Sequence, residues 1–216
     1  MRRVTRGDTS WRVVEPHVGN YEFWNDWESG EWEPFTLDVV SEYARPGTTI
    51  IDCGSWIGPI SLWAASQGAH VLAIEPDPLA RRYLNINVRL NKADVDIFGG
   101  AISDHTGVCN IQAHADGWGS SMTRVMPEGT EVPCLTMPDL FDIFDVENCS
   151  LVKVDVEGFE SVILEHMAPF LADLKIPMLV AMHEPWWTKP VLPEWFKSYS
   201  SIDGQIAGWG QILALP

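Results

Sequence analysis

The sequence predicts a Rossmann-like α/β fold, a mostly parallel sheet with helices on both faces, and three observations predict it. Short apolar runs at 48–51, 70–74, 95–98, 151–156 and 178–182 alternate with segments whose apolar residues recur at helical spacing. The first run passes through Asp52, Gly54 and Gly58 into Pro59 and a helix-like stretch, giving the order strand, glycine turn, helix. Acids or an imidazole follow all five runs, on the rim where open parallel sheets bind ligands. Such alternation implies right-handed crossovers between parallel strands.

Residues 1–33 hold Trp11, Trp24, Trp27 and Trp32 among Gly, Asn, Asp and Glu without a clean period. They are expected to form an irregular arm with one short helix, distinct from a main domain over 34–216. The arm either packs on that domain, because exposed indoles are costly, or lies as a lid whose rings stack on a sugar or an adenine. Residues 35–43 read as a helix with Phe35, Val39 and Tyr43 on one stripe, ended by Arg45-Pro46-Gly47. Asp77 and Pro78 open a helix that runs to Asn91, with Leu79, Tyr83, Ile86 and Leu90 as its buried stripe. Residues 108–113 and 131–135 read as an antiparallel pair around a Gly- and Ser-rich loop at 116–123. Helices follow at 138–144 and 160–171, the latter with Val162, Ile163, Met167 and Phe170 on its apolar side. A short helix near Trp195 and a strand at 211–215 close the chain.

At 216 residues and 46% hydrophobic, the chain suits one domain with a sizeable core. A net charge of −16 argues against a nucleic-acid partner and against docking on an anionic membrane. Cys53, Cys109, Cys134 and Cys149 are widely spaced, so free thiols and no zinc site are expected. With no signal peptide and no spanning apolar run, a cytoplasmic location is expected. Nothing in the sequence fixes an oligomeric state.

The glycine turn reads D-x-G-x-x-x-G, not the G-x-G-x-x-G of dinucleotide sites, and Trp56 and Ile57 stand where a pyrophosphate would need small residues. That counts against a nicotinamide-dependent oxidoreductase. A ligand with one carboxylate and a nucleoside, such as S-adenosylmethionine (SAM), suits the loop better, although a tight turn without ligand reads equally well. Glu75, 23 residues after Asp52 at the next strand end, is placed to accept hydrogen bonds from both hydroxyls of a ribose. Asp104 either receives an adenine amino group or serves the turn before Thr106-Gly107. Asp155 and Glu157 alternate at a strand end with Lys153 on the same side, as a structural bridge or as the lining of a polar cleft.

The segments D-C-G-S-W-I-G, A-I-E-P-D-P, A-I-S-D and V-K-V-D-V-E-G-F-E-S-V-I-L together resemble the FkbM family of SAM-dependent methyltransferases, over about 48–183. The resemblance implies a class I methyltransferase fold, a seven-stranded sheet with one antiparallel strand near the C-terminus. It implies O-methylation of a small-molecule or carbohydrate hydroxyl with SAM as cofactor. By matching positions it places Asp52, Gly54, Ser55 and Gly58, then Glu75, Pro76 and Asp77, then Ala101, Ile102, Ser103 and Asp104 against SAM, with Asp155 near the methyl group. Trp56 and the Trp-rich arm depart from the family pattern.

A sugar hydroxyl is a weak nucleophile at neutral pH, so a general base is expected. His183 is the first candidate, Asp155 the second, and Glu157 stands beside them. A magnesium-assisted variant would draw on Asp155, Glu157, His183 and Glu184. The rival reading is a non-catalytic nucleoside- or carbohydrate-binding module on the same fold.

Overall fold

The computed structural model describes residues 1–14, 23–183, 198–201 and 209–215. The chain opens with an antiparallel hairpin, β1 (Arg2–Arg6) and β2 (Thr9–Val13), in which Val4 faces Trp11 across the ladder. Helix α1 (Phe23–Ser29) buries Phe23, Trp24 and Trp27. The described residues of the arm are therefore regular where an irregular segment with one short helix was expected. Two five-residue strands and a two-turn helix are too short to impose a readable period, and their order comes from shared burial. Val4, Trp11, Val13, Phe23, Trp24 and Trp27 all join the core cluster that contains Ile50, Leu62 and Val71. The guanidinium of Arg6 fastens the segment, donating to the carbonyls of Trp27, Gly30 and Trp32 and lying 5.1 Å over the Trp27 ring.

Helix α2 (Pro34–Tyr43) leads to β3 (Thr49–Cys53), α3 (Pro59–Ser66), β4 (His70–Ile74), α4 (Pro78–Asn91) and β5 (Val95–Phe98). A small second unit follows, β6 (Ala101–Ile102), β7 (Gly107–Gln112), β8 (Arg124–Met126) and β9 (Thr130–Leu135). Then come α5 (Met137–Ile143), β10 (Cys149–Val154), α6 (Glu160–Asp173), β11 (Met178–His183), β12 (Ser198–Ser201) and β13 (Trp209–Leu215).

Among the described residues the main sheet has seven strands, in the order β12-β13-β11-β10-β3-β4-β5. Strands β11, β10, β3, β4 and β5 are parallel, and β13 runs antiparallel to both of its neighbours. The doubly covered sheet follows from composition: all five residues of β3 are buried, Ile50 toward the α2–α3 side and Ile51 toward the α5–α6 side. Burying each such isoleucine contributes about 1.5–3 kcal/mol. The anticipated antiparallel pair is β7 with β9, inside a four-stranded sheet ordered β6-β9-β7-β8.

Two helix faces are rotated from expectation. In α2, Phe35 is exposed, and Thr36, Leu37, Val39 and Val40 are buried. In α4, the buried set is Ala80, Tyr83, Leu84, Asn87 and Val88. Asn87 occupies the core face because its amide serves backbone: Nδ2 donates to the Ile57 carbonyl at 2.9 Å, and Oδ1 accepts from Val14 N–H at 2.8 Å. Among the described residues no helix is long and apolar enough to cross a membrane, and all four cysteines are free. The short helix expected near Trp195, and Glu184, lie outside the described residues.

Candidate active site at the strand tips

The carboxyl ends of β3, β4, β10 and β11 converge. Gly54 follows β3 with φ 79°, and a Cβ built there would sit 1.7 Å from the Asp155 carbonyl oxygen. The glycine is thus required by the close approach of the β10 end, and it also lines both of the spaces described next. Asp155 N–H donates in turn to the Cys53 carbonyl, which locks the two tips together.

A narrow crevice of about 40 Å³ lies beside the tip of β4, lined by Gly54, Ile74, Glu75, Pro76, Ala101, Ile102, Asp155 and residues 120–125 without Met122. Glu75 is only 5% exposed, and its carboxylate accepts from the N–H groups of Trp56 (2.7 Å) and Asp77 (2.8 Å). Burial pushes its pKa up to about 8 against the pull of those two amides. Trp56 adopts φ 48°, which aims its N–H at Glu75. Its ring forms the wall between the crevice and a larger cavity, donates from Nε1 to the Gly119 carbonyl at 2.8 Å, and meets Phe23 edge-on at 4.7 Å.

The larger cavity, about 410 Å³, is walled by Phe23, Trp32 and Trp56 on one side and by charged groups on the other. Lys153 is 4% exposed and lies 3.4 Å from Asp52 Oδ1 and 3.3 Å from Asp155 Oδ2, while donating to the Gly54 carbonyl. Burial works against its charge, but Asp155, Asp52 and Glu33 outweigh that and raise its pKa above the ordinary lysine value. Lys153 is therefore both a structural bridge and part of the cavity lining. His183 presents Nε2 to Asp155 Oδ1 at 3.4 Å and to Glu157 Oε2 at 3.6 Å, and Nδ1 to Glu160 Oε1 at 2.9 Å. Burial opposes its charge, yet the Glu160 bond and the two carboxylates push its pKa up to about 9. Burial pushes Glu157 up to about 7. Glu160 Oε1 also accepts from the N–H groups of Val156 and Gly158, so the turn after β10 and the imidazole are held by one carboxylate.

The expected site residues fall into groups. Gly54, Glu75, Pro76, Ala101, Ile102 and Asp155 border the crevice. Gly54, Ser55, Asp155, Glu157 and His183 border the cavity. Asp52, Gly58 and Asp77 border neither space. Asp52 is fully buried, bound to the Ser61 hydroxyl at 2.6 Å and paired with Lys153. Gly58 packs against Leu84. Asp77 caps α4 through Leu79 and Ala80 N–H and accepts from Gly119 N–H and Thr123 Oγ1. Ser103 and Asp104 border a separate groove beside β7 and β8, with Asp104 engaged by His105 and Ser103. Sequence reasoning missed Phe23, Glu33 and Gln211 in the cavity wall. Glu33 Oε2 accepts from the Thr36 hydroxyl and from the Gln211 amide. A lone acid before a proline-led helix carries no local signal of this.

The FkbM methyltransferase domain family matches residues 52–201. A ribosomal protein L11 methyltransferase of Geobacillus thermodenitrificans is 42% identical over 57 residues, 26% of this chain and 18% of that protein. Its counterpart in Bacillus cytotoxicus is 47% identical over 59 residues, 27% of this chain and 19% of that protein. The match thus spans less than a fifth of either relative. The Pyrococcus abyssi tRNA (uracil-54, C5)-methyltransferase, solved with S-adenosyl-L-homocysteine, superposes with TM-score 0.53 at 13% identity, over all of this chain (100%) and 44% of that one. The Thermus thermophilus 16S rRNA N2 G1207 methyltransferase, solved with AdoMet and guanosine, gives 0.50 at 14% identity, over 99% and 49%. These likenesses concern the fold. With two-thirds of its length matched and the motif-bearing strand tips gathered at one rim, the chain belongs to the FkbM methyltransferase family.

Proposed function

We propose that this methyltransferase uses SAM to methylate a hydroxyl on a sugar or natural-product-like small molecule. The observation that carries the reading is that two spaces share the Gly54 turn, Trp56 and Asp155, one beside a buried carboxylate and one floored by Asp155, Glu157 and His183. The crevice suits a nucleoside: Ile74, Ile102 and Val125 offer apolar surface to a flat base, and each Glu75 oxygen keeps a lone pair for a ribose hydroxyl beyond the amide it already accepts. Its small volume means that Trp56 and the 120–125 wall shift outward on binding. When bound, SAM supplies an electrophilic methyl group on a sulfonium centre. Asp155, paired with Lys153, faces that positive charge.

The acceptor occupies the larger cavity, where Phe23, Trp32 and Trp56 offer ring surfaces to a sugar face. Alignment there contributes up to about 7–11 kcal/mol in favourable cases. At the floor, beside Asp155, Glu157 and His183, the hydroxyl gives up its proton as the new O–CH3 bond forms and the S–CH3 bond breaks, S-adenosylhomocysteine leaving. A net charge of −16 favours a small acceptor over a polyanionic one. The test is transfer of a labelled methyl from SAM to a panel of carbohydrates and small hydroxyl compounds. Turnover on a panel member that Glu157→Gln reduces supports the reading. Sugar binding without any heat from SAM or S-adenosylhomocysteine would instead mark a non-catalytic binding module.

A further inference from the structure

We propose that Asp155, Glu157 and His183, which border the 410 Å³ cavity, bind one divalent transition-metal ion. The spacing is the first ground. Two ligand atoms about 2.1 Å from an ion at a tetrahedral angle lie about 3.4 Å apart. His183 Nε2 stands 3.4 Å from Asp155 Oδ1 and 3.6 Å from Glu157 Oε2, close to that span; the three ligand atoms lie within 4.8 Å of one another, so the two carboxylates close by up to about 1.4 Å to share one ion. An octahedral magnesium site would want cis ligands about 3.0 Å apart and oxygens rather than an imidazole.

The outer partners are the second ground. A metal-bound histidine donates its other ring nitrogen to a carboxylate that fixes its orientation. His183 Nδ1 does this to Glu160 Oε1 at 2.9 Å, and Glu160, with 0% exposure, is itself held by two backbone N–H groups. The second oxygen of Asp155 is held by Lys153 at 3.3 Å, which leaves Oδ1 turned toward His183. Charge is the third ground. Five carboxylates, Glu33, Asp52, Asp155, Glu157 and Glu160, act on one lysine and one imidazole. Buried charge of one sign is held by pairing or by a metal.

Among the described residues the ion would have three protein ligands at the wall of a cavity, the arrangement of catalytic rather than structural metal sites. This inference rests on the methyltransferase reading for its use and refines it. An ion held by these residues would acidify an acceptor hydroxyl, whose proton would pass to solvent; the oxygen would then take the SAM methyl while the S–CH3 bond breaks and S-adenosylhomocysteine leaves, with no change in the metal's oxidation state. The trio would then acidify the hydroxyl through the ion instead of taking the proton itself.

The experiment strips the full chain with EDTA and titrates it with Co²⁺, read by visible absorption, and with Mn²⁺, read by spin resonance. One ion per chain is expected, bound at least about a hundredfold more weakly in Glu157→Gln and in His183→Ala, and about ten- to a hundredfold more weakly in Glu160→Gln. Glu157 is partly exposed at a turn, so Glu157→Gln decides the matter if His183→Ala does not fold. No stoichiometric binding below millimolar metal, or binding unchanged in Glu157→Gln, overturns the proposal. Calorimetry of S-adenosylhomocysteine on the stripped protein separates the two readings: nucleoside binding without metal binding sinks only the metal site, and the reverse sinks only the cofactor assignment.

Discussion

Cofactor affinity should depend on pH through Glu75, and the size of the effect can be worked from its surroundings. The carboxyl is buried at the tip of β4 and titrates at about 8 in the ligand-free protein. Ribose hydroxyls donate to the ionised form, so binding selects it. At pH 7 only about one-tenth of such a group is ionised, and at pH 9 about nine-tenths. Apparent affinity scales with the competent fraction, so S-adenosylhomocysteine should bind about tenfold more tightly at pH 9 than at pH 7. The sign follows from the raised value: the favourable state predominates above about pH 8, approaches completeness beyond about pH 9, and is lost as pH falls through about 8. Binding at pH 7 should release about 0.9 proton, read by calorimetry in two buffers of different ionisation enthalpy. Glu75→Gln should flatten the profile and cost about ten- to a hundredfold in affinity at pH 9, the worth of a charge-assisted hydrogen bond, with a smaller loss at pH 7. Affinity that stays level from pH 7 to 9, with no proton released, would refute the assignment of Glu75 to the ribose.

Other outcomes follow from the same contacts. Lys153→Met leaves Asp52 buried beside Asp155 without a cation, and should cost about 3–5 kcal/mol in urea unfolding, whereas adding Asp52→Asn should restore part of the loss. Gly54→Ala places a Cβ against the Asp155 carbonyl at a positive φ, and should lower stability by at least about 1–3 kcal/mol and weaken S-adenosylhomocysteine binding in calorimetry. Trp56→Phe removes the Nε1 bond to Gly119 and should abolish the largest change in tryptophan fluorescence on cofactor binding, because Trp56 is the wall between the two spaces.

The sheet was legible because its signals are local. β-Branched runs, the Asp77-Pro78 helix start and the glycine turn each lie within a few residues, and they survive folding unchanged. The rim was legible for the same reason, since acids at strand ends necessarily share an edge. What each acid does there was not legible. Asp77 and Glu75 stand two residues apart at one strand end, yet Asp77 spends its oxygens on α4 and the 116–123 loop while Glu75 borders the crevice. Asp52 looks like a ligand residue in sequence and is a buried partner of Ser61 and Lys153 in the fold. Phe23, Glu33 and Gln211 reach the cavity only through tertiary packing that joins the two ends of the chain. The carboxylate behind His183 comes from α6, 23 residues away, so no ligand spacing announces the cluster.

A crystal structure with S-adenosylhomocysteine bound is the most direct measurement. The expected result is a base between Ile74, Ile102 and Val125, both ribose hydroxyls on Glu75, the amino-acid end over the Gly54 turn, and the sulfur on the cavity side of Trp56 near Asp155. A nucleoside bound elsewhere, with Trp56 still closing the crevice onto Gly119 and Glu75 touching only its two backbone amides, would contradict it.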